Sequence, residues 1–286
     1  MPFISLSRLT MHYEQVGSGE TVFVFLHGNF ASWRWWQPLL QHLPDGYCAY
    51  VPELRGFGDT DHPPEGYTIE QLAQDIDEFV TALHLPVFHL VGHSLGGAVA
   101  LQFTLYHPTL VHTLMLVSPA PAEGMPQLSK FIGIFQNSYS LLNLFSRPLL
   151  QHVLNRMGLD QHPQSLGNVL LHDATRVAPQ AVMGLVQSLS IWNVQDQLSR
   201  LQLPLLILWG DRDIIIQREA LERMVCRLPS AQLIVWPDIG HAPQLEQPEL
   251  FKKLMLQFIH NHLTTTLPSP IPKPTKWERV KRWWKK

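Results

Sequence analysis

Leu90–Gly97 reads LVGHSLGG, a serine enclosed by glycines directly after an apolar run. A G-x-S-x-G pattern arises by chance in about one chain in ten of this length at ordinary glycine usage, so its meaning rests on what surrounds it. A strand before it and a helix after it would make a tight turn that lifts Ser94 out of a sheet edge. An acid and a histidine further along the chain would supply the base that a serine hydroxyl needs to become a nucleophile. Without that context Ser94 is a hydroxyl in a turn.

The context is present on both sides. Apolar runs rich in β-branched and aromatic residues alternate with segments of helical period: TVFVFLHG (Thr21–Gly28), SWRWWQPLLQHL, YCAYVPEL, IEQLAQDIDEFVTAL, VFHLVGHS, AVALQFTLYHP and HTLMLVSP. This alternation predicts βαβ units and a mostly parallel, doubly wound sheet, an α/β fold in which Ser94 follows the fifth strand. Ile69, Leu72, Ala73, Ile76, Phe79, Val80 and Leu83 keep a 3.6-residue spacing while Glu70, Gln74, Asp77 and Glu78 fall elsewhere, as in a surface helix with one buried stripe. The leading FISLSRLTMHYEQVGSG alternates as an antiparallel pair at a sheet edge does.

After the sixth strand the pattern changes. From about Pro121 to Arg200 the text is helical and apolar with no strand signal, and alternation resumes with PLLILWGD, EALERMVCRLP, AQLIVWPD and PELFKKLMLQFIHNHL. The expected organisation is a core in two parts, residues 1–120 and 201–265, with a helical cap at 121–200 over the strand ends and a basic aromatic tail at 266–286 behind the linker TTTLPSPIPKP.

Composition narrows the function classes. With 286 residues, 45% hydrophobic and 15% charged, the chain can bury a full core. MPFISLSRLT lacks the features of a signal peptide, and no apolar run approaches the ~18 residues of a membrane span, so a cytoplasmic protein is expected. Cys48 and Cys226 show no CxxC spacing and read as buried free thiols, with neither metal nor disulfide indicated. The net charge of −2 hides an asymmetry: seven Lys/Arg and one Glu from Lys273 onward give +6, leaving −8 on the body. An acidic body repels a phosphate backbone, which argues against nucleic-acid binding. In the tail, Trp277, Val280 and Trp284 fall at i, i+3 and i+7 among Lys and Arg, the pattern of an interfacial helix with peripheral membrane contact; a solubilising disordered end is the other reading.

The partners for Ser94 lie downstream. WGDRD ends one strand and carries Asp211 and Asp213; DIGHAPQLEQP follows the next and carries His241. Both loops leave the carboxyl ends of strands, the edge where open α/β sheets bind ligands. Backbone donors for an oxyanion are expected from the amides of Asn29, in FLHGNFASW after the third strand, and Leu95, at the start of the helix after Ser94. His93 falls beside the nucleophile, but strand alternation turns it the other way, and His27 reads as a residue that holds its loop together. Trp33, Trp35 and Trp36 read equally as helix packing or substrate contact; Phe131, Phe135, Phe145 and Trp192 read mostly as core, with some lining an acyl pocket.

HGNF, ELRGFGDTD, GHSLGG, GDRD and IGHAPQLEQP together resemble the α/β-hydrolase superfamily over Phe3 to about Leu263. Within it they resemble the cap-bearing branch of esterases, haloperoxidases and C–C hydrolases. The resemblance implies a Ser94, Asp213 and His241 triad, with Asp213 preferred over Asp211, acyl-enzyme chemistry and no cofactor. Two departures touch the loop after the fourth strand: Glu53 stands where the family usually has Asp, and GDTD replaces G-x-S-D. A serine nucleophile argues against epoxide hydrolase and haloalkane dehalogenase chemistry, which use Asp. The C–C hydrolases tend to carry a Gly/Pro-rich oxyanion loop and a Trp after the histidine, where this chain has HGNFAS and Ala242, so ester hydrolysis of an apolar small molecule leads. Lactonase, thioesterase, perhydrolase and acyl-transfer activities share the same triad, and a ligand-binding receptor on a hydrolase scaffold is the reading from another class. A histidine base must be neutral, and a free imidazole titrates near 6.5, so activity should fall below about pH 6 to 7.

Overall fold

The computed structural model describes residues 2–130 and 164–263, with Pro148, Gln151, His152 and Asn155 between them. Strands β1 (Phe3–Ser5), β2 (Thr10–Gly17), β3 (Thr21–Leu26), β4 (Tyr47–Pro52), β5 (Phe88–His93), β6 (Val111–Val117), β7 (Leu205–Gly210) and β8 (Ala231–Trp236) form one eight-stranded sheet in the order β1-β2-β4-β3-β5-β6-β7-β8. β1 and β2 are antiparallel to their neighbours and every pairing from β4 to β8 is parallel. The expected α/β sheet with an antiparallel edge is therefore what forms.

The helices are α1 (Gln37–Leu40), α2 (Ile69–Ala82), α3 (Leu95–Tyr106), α4 (Gln164–Thr175), α5 (Pro179–Ile191), α6 (Arg218–Arg227), α7 (Pro243–Glu246) and α8 (Pro248–Leu263). They cover both faces of the sheet, which explains the unbroken apolar text of the central strands. In β3, Val22, Val24 and Leu26 join a core with α2, α3 and α5, while Phe23 and Phe25 join an opposite core with α1 and α8. In α2, Thr68 caps the N-terminus by accepting from the Gln71 amide at 3.1 Å. Its buried stripe is the one its spacing predicts: Ile69, Leu72, Ala73, Ile76, Phe79 and Val80. Helix α3 is buried on all sides over most of its length, as the helix behind the central strand must be.

Between β6 and β7 the described elements are all helical: short 3-10 turns at Pro126–Leu128 and Gln195–Arg200 flank α4 and α5. This inserted part is tied to the core by polar contacts. The Ile69 amide at the start of α2 donates to Ser188 Oγ at 3.0 Å, and the Ala178 amide donates to the Gly56 carbonyl at 3.0 Å. Trp192 is buried and donates its indole N–H to Gln102 Oε1 of α3 at 2.8 Å, so it packs as core. Phe131, Phe135 and Phe145, and the tail with Trp277, Val280 and Trp284, lie outside the described residues.

Of the two cysteines expected to be buried, Cys48 is, but Cys226 is exposed. Helix α6 is amphipathic, and Ala220, Leu221 and Met224 take its buried face, which leaves Cys226 on the charged side among Arg223 and Arg227. No helix among the described residues is long and apolar enough to cross a membrane.

The fold buries histidines uncharged. His89 Nδ1 meets Thr113 Oγ1 at 2.8 Å, and burial pushes its pKa down to about 4; burial, with His241 beside it, pushes His93 down to about 3. The unfolded chain, with free imidazoles near 6.5, binds more protons than the folded one between pH 6.5 and about 4. Stability is therefore complete above pH 6.5 and lost as pH falls, by about 2 kcal/mol per histidine between pH 7 and 5. Urea denaturation at the two pH values should show the loss smaller by about that amount in His89→Gln than in the wild type; an equal loss in both would refute the assignment.

Candidate active site

Ser94 sits between β5 and α3 with φ 53° and ψ −115°, a backbone conformation that costs energy for any residue with a side chain. Hydrogen bonds hold it there: its amide donates to the Val117 carbonyl at 3.0 Å, and its carbonyl accepts from Gly97 at 2.9 Å and Ala120 at 3.0 Å. The flanking glycines are required by close approach. A Cβ on Gly92 would stand 2.4 Å from the Gly96 carbonyl oxygen, and one on Gly96 would stand 2.4 Å from that of Leu26. The G-x-S-x-G text is thus the condition for a strand, a turn and a helix to pack this tightly.

The two aspartates of WGDRD separate cleanly. Asp213 is buried, and its Oδ2 lies 2.8 Å from His241 Nδ1. Its Oδ1 accepts from the amides of Ile215 at 2.8 Å and Ile216 at 3.0 Å, which fixes the rotamer. Burial works to raise the Asp213 pKa, but attraction and hydrogen bonding from His241 and those amides outweigh it and hold the carboxyl below the ordinary value. Asp211 instead accepts from the Asp238 amide at 2.7 Å in an exposed turn, so it braces the loop. With Asp213 accepting at Nδ1, the His241 proton is held there and Nε2 is left as the basic nitrogen.

The loop after β3, from which a backbone donor is expected, approaches Ser94. A Cβ on Gly28 would be 3.2 Å from Ser94 Cβ, which brings the Gly28–Asn29 segment beside the serine. Leu95 is the first residue of α3, where no carbonyl of the helix can reach its amide. His27 holds this loop, as its position suggests: its Nε2 accepts from the Leu54 amide at 3.0 Å and its Nδ1 donates to the Gly28 carbonyl at 2.8 Å. Accepting at one nitrogen and donating at the other requires a neutral ring, and burial lowers its pKa accordingly.

The model of the alpha/beta hydrolase fold family matches residues 21–248. The chain belongs to the alpha/beta hydrolase family. This hydrolase is 27% identical over 282 residues to the 2-hydroxy-6-oxo-6-phenylhexa-2,4-dienoate hydrolase of Burkholderia cepacia, with 90% of this chain and 93% of that one covered. It is 27% identical over 263 residues to the pimeloyl-[acyl-carrier protein] methyl ester esterase of Aeromonas hydrophila, with 88% and 100% covered. In structure it is similar to the esterase EaEST from Exiguobacterium antarcticum, with a TM-score of 0.79 at 23% identity and 90% and 98% of the two chains covered, a likeness of fold.

Four features of this alpha/beta hydrolase escape a reading by motif. His93, which strand alternation turns away from Ser94, turns toward His241: its Nε2 donates to the His241 carbonyl at 2.9 Å, the two rings are 5.0 Å apart, and Trp35 stacks on its other side at 5.4 Å. Glu246 clamps the same loop by accepting from the amides on both sides of His241, Gly240 at 2.8 Å and Ala242 at 3.2 Å. Trp36 packs between Phe25 and Phe251, and Trp33 carries the Arg34 guanidinium over its ring, so these tryptophans are packing residues.

The fourth feature is Glu53. The longer side chain in place of aspartate reaches across to β2, where its Oε2 meets His12 Nδ1 at 2.9 Å and accepts from the Asp59 amide at 2.7 Å. Thr60 of GDTD joins the same junction, donating to the Glu53 carbonyl at 2.8 Å and accepting from the His12 amide at 2.9 Å. His12, Glu53 and Asp59 bring possible metal-ligand atoms within 4.8 Å of one another. The group is already engaged by its own partners, however, since His12 faces Glu53 and the Asp59 carboxylate pairs with Arg176.

Proposed function

We propose that this alpha/beta hydrolase cleaves a carboxylic ester of an apolar small molecule through an acyl-enzyme on Ser94. The observation that carries the reading is the buried Asp213–His241 pair, buttressed by two amides, at the same strand edge as the strained serine turn. His241 takes the Ser94 proton as the oxygen attacks the carbonyl carbon, and the amides of Asn29 and Leu95 stabilise the oxyanion. Asp213 steadies the imidazolium, which then protonates the leaving alcohol. Water repeats the sequence on the acyl-enzyme and frees the acid. In this reading α4 and α5, inserted between β6 and β7, belong to the cap over the acyl group.

The methyl ester esterase among the relatives supports ester cleavage. The dienoate hydrolase supports a second reading, cleavage of a carbon–carbon bond next to a ketone on the same triad. Against it stands Ala242 after the histidine. Turnover of p-nitrophenyl esters of increasing chain length tests both, with that dienoate as comparison. A clear optimum at one acyl length, with kcat/KM above that for the dienoate, is the expected result. Faster dienoate turnover would move the protein to the second class, and tight ligand binding with negligible turnover of either would make it a receptor on a hydrolase scaffold.

A further inference from the structure

We propose that Asp173, on the inserted helix α4, is a positioning residue for the oxyanion loop and acts through Ser32; the assignment rests on the serine-hydrolase reading above. The loop is strained where it matters. Phe30, next to Asn29, has φ 57°, which a bulky side chain disfavours, so the conformation is held from outside the residue itself. On its near side Asn29 Oδ1 accepts from the Phe30 amide at 3.0 Å, and His27 fixes the Gly28 carbonyl. On its far side the anchor is Ser32, fully buried, whose hydroxyl accepts from the Arg34 amide at 3.1 Å and donates to Asp173 Oδ2 at 2.5 Å. Arg34 Nη1 donates to Asp173 Oδ1 at 2.9 Å, so both carboxylate oxygens bind this one short stretch, 141 residues away in the chain.

The same helix reaches the rest of the site. Leu170, Leu171 and Ala174 pack in one small core with Ala31 and Trp35 of the oxyanion side and with Ala242 and Leu245 of the histidine side; Phe30 and Ile215, the latter from the Asp213 loop, pack against it. Apolar contact suffices to join α4 to these loops, and a buried carboxylate is an expensive way to add more of it. What a hydrogen-bonded carboxylate adds is direction. Apolar surfaces tolerate sliding by tenths of an ångström, whereas the Asp173–Ser32 bond sets the orientation of the backbone two residues from Phe30, and an oxyanion donor is sensitive to displacements of that size.

Labelling of Ser94 by an alkyl fluorophosphonate tests this without knowledge of the natural substrate, because the reaction needs the nucleophile, the base and the oxyanion donors. The full chain is compared with Ser32→Ala, Asp173→Asn and the double variant. Each single change should slow labelling about 10- to 100-fold. The double variant should be no slower than the slower single, because both act through one bond. All should reach full labelling. Unchanged rates would overturn the proposal. So would a lower labelled fraction reacting at the wild-type rate, which is the signature of a merely structural role. If Asp173→Asn does not fold, Ser32→Ala decides alone, since it removes one hydroxyl and leaves the Asp173–Arg34 pair. Failure of the wild type to label would overturn the hydrolase reading itself, a result distinct from labelling that the variants leave unchanged.

Discussion

Ser94→Ala is expected to lower kcat for the best p-nitrophenyl ester by on the order of a millionfold while the protein stays folded. The loss follows from chemistry, since no other hydroxyl is placed in the turn between β5 and α3. Retention of the fold follows from geometry. The Ser94 side chain makes no capping bond to α3, and the hydrogen bonds that hold the turn are made by its backbone. Alanine at φ 53° keeps the strain of serine; glycine relieves it. Ser94→Gly should thus be as inactive as Ser94→Ala yet more resistant to urea, by about 1 kcal/mol after glycine's entropic cost. Wild-type turnover by either variant would make Ser94 a hydroxyl in a turn and nothing more.

Asp213→Asn should reduce kcat by about four orders of magnitude, against a change of less than about threefold for Asp211→Asn. The size of the first effect comes from how Asp213 is held. Its Oδ1 is fixed by two amide donors, Ile215 and Ile216. An asparagine must therefore turn its oxygen to those amides and its NH2 group to His241. That amide donates to Nδ1, drives the imidazole proton to the other nitrogen, and leaves no base facing the serine. Among the described residues Asp211 accepts from the Asp238 amide in an exposed turn, so its replacement disturbs a loop contact. Equal losses in the two variants would show that the loop acts as a unit and that the carboxylates share the role. A loss confined to Asp211→Asn would transfer the role to that residue.

Much of this was legible in the text of the chain because it depends on short-range repeats. The period of 3.6 in α2 reports one buried face, and the apolar runs of β3 and β7 report two. Glycines around Ser94 report that backbones come too close there for a Cβ. Order along the chain then leaves Ser94, Asp213 and His241 at the carboxyl ends of strands that a parallel sheet must align. The same reasoning fails for Cys226, because the buried residues of α6 sit two to six positions away on the opposite face and leave it among charged neighbours.

What escaped the sequence depends on how loops from distant strands meet. Asp211 and Asp213 are two residues apart with the same chemistry; resemblance prefers Asp213, but the physical reason is the path of one loop, which turns Asp213 to His241 and Asp211 to Asp238. His93 looked misdirected because alternation describes a side chain relative to its own sheet, whereas its partner is a carbonyl 148 residues away. Glu246, the His12–Glu53 pair and the Ser32–Asp173 bond are contacts of the same kind. The sequence by itself determined the layers, the strained serine and the strand edge where chemistry belongs, because burial and steric crowding leave periodic traces. Only the tertiary structure decided which carboxylate serves the histidine and what holds each loop in place, because a directed hydrogen bond between distant segments leaves none.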